Sequence, residues 1–129
     1  QKMAVVSGGR RAVTNYRVLK SFRFAGLLEF LLETGRTHQI RVHGSACMGC
    51  PVIADAKYGG MKPVAHSLVK ADRELTADVI RLAGHQMLHA ETLGFIHPVT
   101  GEEMEFSSAP PTEFRLVQRL LARDAEDAV

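Results

Sequence analysis

The sequence predicts an α+β fold, a mainly antiparallel sheet packed by helices. Three observations lead there. Two stretches mixing β-branched, aromatic and polar residues, Ala12 to Lys20 and Leu27 to Glu33, flank Gly26 and read as an antiparallel pair. Met87 to Phe95 alternates like a strand and is followed by a turn, His97-Pro98-Val99-Thr100-Gly101, that leads into Glu103 to Phe106. Near the end, Phe114, Leu116, Val117, Leu120 and Leu121 fall on one helical face.

Taken in order, the chain enters a strand-like pattern almost at once, and Gly8-Gly9 breaks it before Ala12. Thr34-Gly35 ends the second strand. From Thr37 to Met48 there is no proline, and Ile40, His43 and Cys47 recur at helical spacing, so a helix is expected with Thr34 or Thr37 as its N-cap. Gly49 to Pro51 stops that helix, Val52-Ile53 is a short apolar stretch, and Gly59-Gly60 turns the chain into a polar region from Met61 to Thr76, expected to be a surface loop. Ala71 to Leu82 carries a weaker helical pattern. After Pro110-Pro111, Thr112 is placed to cap the closing amphipathic helix.

With 129 residues, one domain with a real core is expected, since two would each bury too little surface. The 46% hydrophobic and 23% charged composition excludes a disordered chain. No apolar run is long enough to span a bilayer, and the first residues do not resemble a signal peptide, so a cytoplasmic protein with no membrane partner is expected. Cys47 and Cys50 are too close in sequence to staple distant parts of a fold. They do raise a zinc or redox dithiol alternative with His38 or His43, but no second ligand pair stands at suitable spacing, and a buried helix end is a sufficient explanation. Net charge is only +2, yet Lys2, Arg10, Arg11, Arg17, Lys20 and Arg23 load the first quarter with positive charge, compatible with RNA and equally with a solvated face. The chain starts without an initiator methionine and is expected to be a piece of something longer.

The densest chemistry lies in Glu33 to His43, ETGRTHQIRVH, at a strand-to-helix junction. A helix starting near Thr37 would offer free N–H groups to an anion, with Arg36 and Arg41 adding fixed charge. The alternative is a capped helix whose arginines pair with local acids such as Glu33.

This segment, followed by Pro51-Val52-Ile53, Asp55 and Tyr58-Gly59-Gly60, resembles the pseudouridine synthases of the RluA type. Leu88-His89-Ala90 and His97-Pro98-Val99-Thr100-Gly101-Glu102 are similar to that family's LHA and HPxTGE segments, and Ala12, Thr14 and Tyr16 to Leu19 to the strand before its central motif. Several ordered motifs covering most of the chain carry more weight than one TGR would.

The resemblance implies the C-terminal portion, residues 1–129, of a pseudouridine synthase catalytic domain. It implies an enzyme that isomerises uridine to pseudouridine in structured RNA, ribosomal or transfer, without metal or organic cofactor. The family's nucleophilic aspartate lies in an arginine-leucine-aspartate motif N-terminal to everything seen here, so this chain alone is expected to be inactive and its missing N-terminal half to be a partner. A non-catalytic RNA-binding module on the same scaffold is the alternative. Arg41 is implied as the partner of the absent aspartate, because a guanidinium holds a carboxylate by two parallel hydrogen bonds. Leu88 is implied to pack on the target base, unless it is an ordinary core leucine. Arg36, His38, Gln39 and Lys57 are the candidates for RNA contact, Arg36 by phosphate binding or by fixing the loop, and His38 and Gln39 by ordering that loop through hydrogen bonds.

Asp55 falls on the family's GDxxYG position and is read as a structural or loop-ordering residue, while His43 is read as a satisfied core histidine. The residue before Asp55 is Ala54 where the family pattern has glycine, which disfavours a positive φ there. Without its other half, Arg41 is expected to be locally unstable and the sheet to expose an unpaired edge and apolar surface, inviting self-association.

Overall fold

The computed structural model describes residues 2–7, 10–61 and 70–127. Strands β1 (Lys2–Ser7), β2 (Arg10–Ser21) and β3 (Gly26–Leu32) form an antiparallel sheet in that order, and β4 (Thr92–Ile96) pairs with β5 (Glu103–Ser107) as a separate hairpin. Helix α1 (Gln39–Val42) runs into a π-helical turn at His43–Cys47, and α2 (Lys70–Ala83) and α3 (Thr112–Asp127) follow. This is the α+β arrangement that the periodicities predict. Gly8-Gly9 and most of the expected Met61–Thr76 loop lie outside the described residues, while Lys70 to Thr76 belong to α2 instead of a loop.

The register places Thr14 opposite Leu32 and Tyr16 opposite Phe30, with an irregularity between Val18 and Lys20. Val13 and Thr14 point to opposite faces of the central strand, yet both are fully buried. A second packing centre joins Val79 and Ala83 of α2 to Val117 and Leu121 of α3, with Ala54 buried among them and Phe22, Ile53 and Met87 packed alongside. Each helix turns its apolar stripe toward the other. The consequence for function is positional: the loop that follows Pro51 is nailed to the helical core at Ile53 and Ala54.

Three expectations are corrected. The Thr37–Met48 helix is broken and shorter. Its first residue, Gln39, is preceded by His38 in the left-handed region at φ 51°, and no side chain caps it. Thr34 is unavailable as a cap because its hydroxyl accepts the Val13 N–H at 2.9 Å and donates to the Gln39 amide oxygen at 2.6 Å. The strand expected from Met87 begins only at Thr92, since the Met87 N–H is drawn to the Ile53 carbonyl at 2.9 Å and leaves the ladder. Cys47 and Cys50 are exposed free thiols, not a buried helix end, and no group of three or more His, Cys, Asp or Glu placed to hold a metal ion occurs among the described residues.

Exposed apolar side chains lie on both sheets, Val18, Leu19, Leu31 and Leu32 on the first and Leu93, Phe95, Ile96 and Phe106 on the hairpin. No helix among the described residues is long and apolar enough to cross a membrane.

Candidate active site

Gln39 is the hub of the ETGRTHQIRVH segment. Its amide nitrogen donates to the Val13 carbonyl and to Thr14 Oγ1, both at 2.9 Å, and its amide oxygen accepts from Thr34 Oγ1 and from the Arg36 N–H at 3.0 Å. A side-chain amide has two donor hydrogens and two acceptor sites, so the group is saturated. The orientation is forced, since Val13 offers only an acceptor and the Arg36 N–H only a donor. Thr14 Oγ1 continues the network to His43 Nδ1 at 2.7 Å, and both residues are buried. Two threonines, a glutamine and a histidine thus bolt the start of α1 to the middle of β2. Buried polar groups of this kind are stable only when fully partnered.

This is the loop-ordering role expected of Gln39, and it corrects only the placing of Gln39 among the RNA contacts. It is 5% exposed with no bonding capacity left, and its work is to order the loop. Of the N–H groups expected to face an anion at this helix start, that of Arg36 is taken by the Gln39 side chain and that of Gln39 by the Arg36 carbonyl.

Ordering this loop presents Arg41 to the turn after Pro51. Arg41 Nε lies 2.7 Å from Asp55 Oδ2 and Nη2 lies 2.8 Å from Asp55 Oδ1, a side-on bidentate pair. Asp55 is fully buried, and its Oδ1 also accepts the backbone N–H groups of Lys57 at 3.1 Å and Tyr58 at 3.2 Å. The Arg41 hydrogen bonds, helped by those two amides, outweigh burial and hold the Asp55 carboxyl at about 2 against its ordinary 3.8. The Tyr58 ring lies 5.0 Å from the Arg41 guanidinium carbon and the His38 Nδ1 lies 3.0 Å from the Tyr58 hydroxyl, closing a ring of contacts. Ser45 Oγ donates to the Tyr58 carbonyl at 2.8 Å.

The Asp55 turn itself depends on two unusual backbones. Ala54 sits at φ 63°, the positive value that the glycine of the family pattern would adopt without strain. A Cβ on Gly60 would stand 1.8 Å from the Val52 carbonyl oxygen, so the turn closes only around glycine. The Ala54 N–H donates the closing hydrogen bond to the Gly60 carbonyl at 2.7 Å.

Arg41 is therefore not left unpaired in this chain, contrary to the instability expected of it. Its partner within reach is Asp55, which sequence reasoning had placed only in the loop. No periodicity links the two, and only folding across Pro51 joins them. With Nε and one Nη2 hydrogen committed, Arg41 retains Nη1 and the outer Nη2 hydrogen as a second fork. The side chain is 14% exposed.

Arg36, His38 and Lys57 are all exposed around this centre. Arg36 Nε donates to the Arg11 carbonyl at 3.2 Å, and Lys57 Nζ stands 5.5 Å from the Tyr58 ring. Leu88 is 37% exposed, which removes it from the core leucines.

The arrangement is that of an RNA pseudouridylate synthase domain. The solved structure titled Human RNA Pseudouridylate Synthase Domain Containing 4 superposes with a TM-score of 0.58 at 25% identity, covering 92% of this chain and 50% of that one. The family profile described as RNA pseudouridylate synthase matches residues 1–46. Ribosomal large subunit pseudouridine synthase D of Pseudomonas aeruginosa is 45% identical over 98% of this chain and 38% of its own length, and that of Zymomonas mobilis 43% over 94% and 36%. RNA pseudouridine synthase 2, chloroplastic, of Arabidopsis thaliana is 41% identical over 95% of this chain and 31% of its own. The chain belongs to the RluA-type pseudouridine synthase family, and spans about a third of the length of these curated relatives.

Proposed function

We propose that this chain is the C-terminal portion of a pseudouridine synthase catalytic domain that isomerises uridine in structured RNA, with ribosomal RNA as the substrate. The observation that carries the reading is the Arg41–Asp55 pair, built by the very motifs that match the family. Similarity to enzymes named for the large ribosomal subunit supports ribosomal RNA. The compartment follows the RNA; the cytoplasm is the reading proposed here, and one relative is named chloroplastic.

The reaction breaks the bond from N1 of the base to C1′ and forms one from C5 to C1′; C5 releases its hydrogen as a proton and N1 takes up a proton, so the product is an isomer. The nucleophilic aspartate comes from the N-terminal portion of the domain. In this reading Arg41 receives it on the outer fork while Asp55 grips the inner edge, so that one guanidinium aligns two carboxylates. Leu88, half out of the core, supplies apolar contact to the extruded uracil. Arg36 and Lys57 meet phosphates, and His38 steadies Tyr58 beneath Arg41.

The test is tritium release from ribosomal RNA labelled at uracil C5, using the longer protein that joins this chain to an N-terminal portion carrying arginine-leucine-aspartate. Release that stops on Arg41→Met is expected. Binding of RNA without any release would leave the non-catalytic module as the function.

A further inference from the structure

A cleft of about 270 Å³ opens where the end of β2 meets α3, lined by Lys20, Arg115, Gln118, Arg119 and Ala122. Three of its five lining residues are cations and none is an acid. Residues 115, 118, 119 and 122 follow the spacing of one helical stripe, and the apolar stripe of the same helix, with Val117 and Leu121, is buried against α2. Helix α3 therefore has one face for the core and another that concentrates positive charge.

Three other arginines of the described surface are already neutralised. Arg17 pairs with Glu29, Arg81 with Asp78, and Arg23 with both Asp72 and Asp124. No acid of α3 stands three or four residues from Arg115 or Arg119, and the acid nearest in sequence to Arg119, Asp124, is itself held by Arg23 at 3.0 Å. Lys20, Arg115 and Arg119 are exposed and take part in no ion pair among the described residues. Exposed like charges gathered around one cleft repel each other, and an anion relieves that repulsion.

We infer that this cleft is a binding site for the phosphodiester backbone of RNA, separate from the Arg41 centre. Two guanidiniums one helical turn apart, each able to bind phosphate by a fork, suit neighbouring phosphates of one strand. Gln118 between them adds neutral donors, and the small Ala122 keeps the cleft open. Six residues of strand separate Lys20 from Thr14, which borders the Arg41 loop, a span of roughly 20 Å. An RNA that fills both sites must be an extended, structured element. Contacts of this kind set register and affinity without reading bases. The inference rests on the RNA-acting reading given above.

The experiment is fluorescence anisotropy of a labelled structured RNA against the full chain across a salt series. The triple variant Lys20→Gln, Arg115→Gln, Arg119→Gln is compared with a charge-matched one, Arg17→Gln, Lys70→Gln, Arg81→Gln, whose cations are already paired. Neutralising the cleft should weaken binding at least about tenfold and reduce the slope of log affinity against log salt by about 2. The matched variant should change affinity less than about threefold. Lys20→Arg with Arg115→Lys and Arg119→Lys should retain the wild-type slope, which guards against mere misfolding. An unchanged slope in the cleft variant, or an equal loss in the matched one, overturns the site while leaving the RNA reading intact. Failure of the wild-type chain to bind RNA overturns both. If inorganic phosphate at constant ionic strength protects wild type but not the cleft variant from thermal unfolding, while both bind RNA equally, the cleft serves small anions and the RNA assignment falls.

Discussion

Replacing Asp55 with asparagine keeps the shape of the side chain and its acceptor for the Lys57 and Tyr58 amides but removes the charge opposite Arg41. The size of the loss follows from the carboxyl itself. Held at about 2 instead of 3.8, the ionised form is favoured in the folded chain by about 2 kcal/mol relative to the protonated form. Asp55 is fully buried, so solvent does not screen the effect. Because the folded-state value is the depressed one, this stability is present in full above 3.8 and is lost as pH falls through 2. Urea unfolding of wild type and Asp55→Asn from pH 7 down to pH 2.5 measures it. A difference of about 2 kcal/mol is expected at pH 7, steady down to about pH 5, then shrinking as Asp55 of the unfolded chain takes up its proton ahead of the folded one. A difference that does not change with pH, or one under about 0.5 kcal/mol at pH 7, would refute the claim that charge pairing with Arg41 orders this loop. Asp55→Ala, which also strips two amides of their acceptor, should cost more, toward roughly 3 to 5 kcal/mol.

Gln39→Leu leaves the Arg36 N–H without its acceptor and Val13 and Thr14 without their donor, and should cost about 2 to 3 kcal/mol, with faster hydrogen exchange at Arg36 as the local readout. Gly60→Ala forces the Asp55 turn open and should lower stability by about 2 kcal/mol or more, measurable as a lower urea midpoint. Leu88→Ala should change stability by less than about 1 kcal/mol while lowering tritium release by the longer protein, and a large stability loss would return Leu88 to the core. The exposed apolar residues of the two sheets predict concentration-dependent self-association of the isolated chain, which sedimentation checks and a strictly monomeric profile would contradict.

Much of the architecture was legible in the residues because period-two and helical patterns are local. β2, β3, β5, α2 and α3 all fall where alternation or an apolar stripe places them. Where tertiary hydrogen bonds claim a local group, the reading fails. Thr34 has the chemistry of an N-cap, yet the Val13 amide and Gln39 claim it from across the sheet. Met87 to Glu91 alternate like a strand, yet the Met87 amide answers to Ile53.

The sequence by itself determined the fold class and the family, since ordered motifs survive as text whatever surrounds them. It also put Ala54 where the family pattern has glycine, a residue that disfavours a positive φ, yet the backbone adopts 63° there. Only the tertiary structure decided which charges meet. Arg41 and Asp55 stand on opposite sides of a proline-interrupted turn, and nothing local says that one guanidinium edge will be spent on that carboxylate. The same holds for the basic cleft: Lys20 and Arg119 carry their charges in any sequence, but that they meet around one cleft whose lining holds no acid is settled by packing. Pairing is decided by distance in space, and that distance is a property of packing.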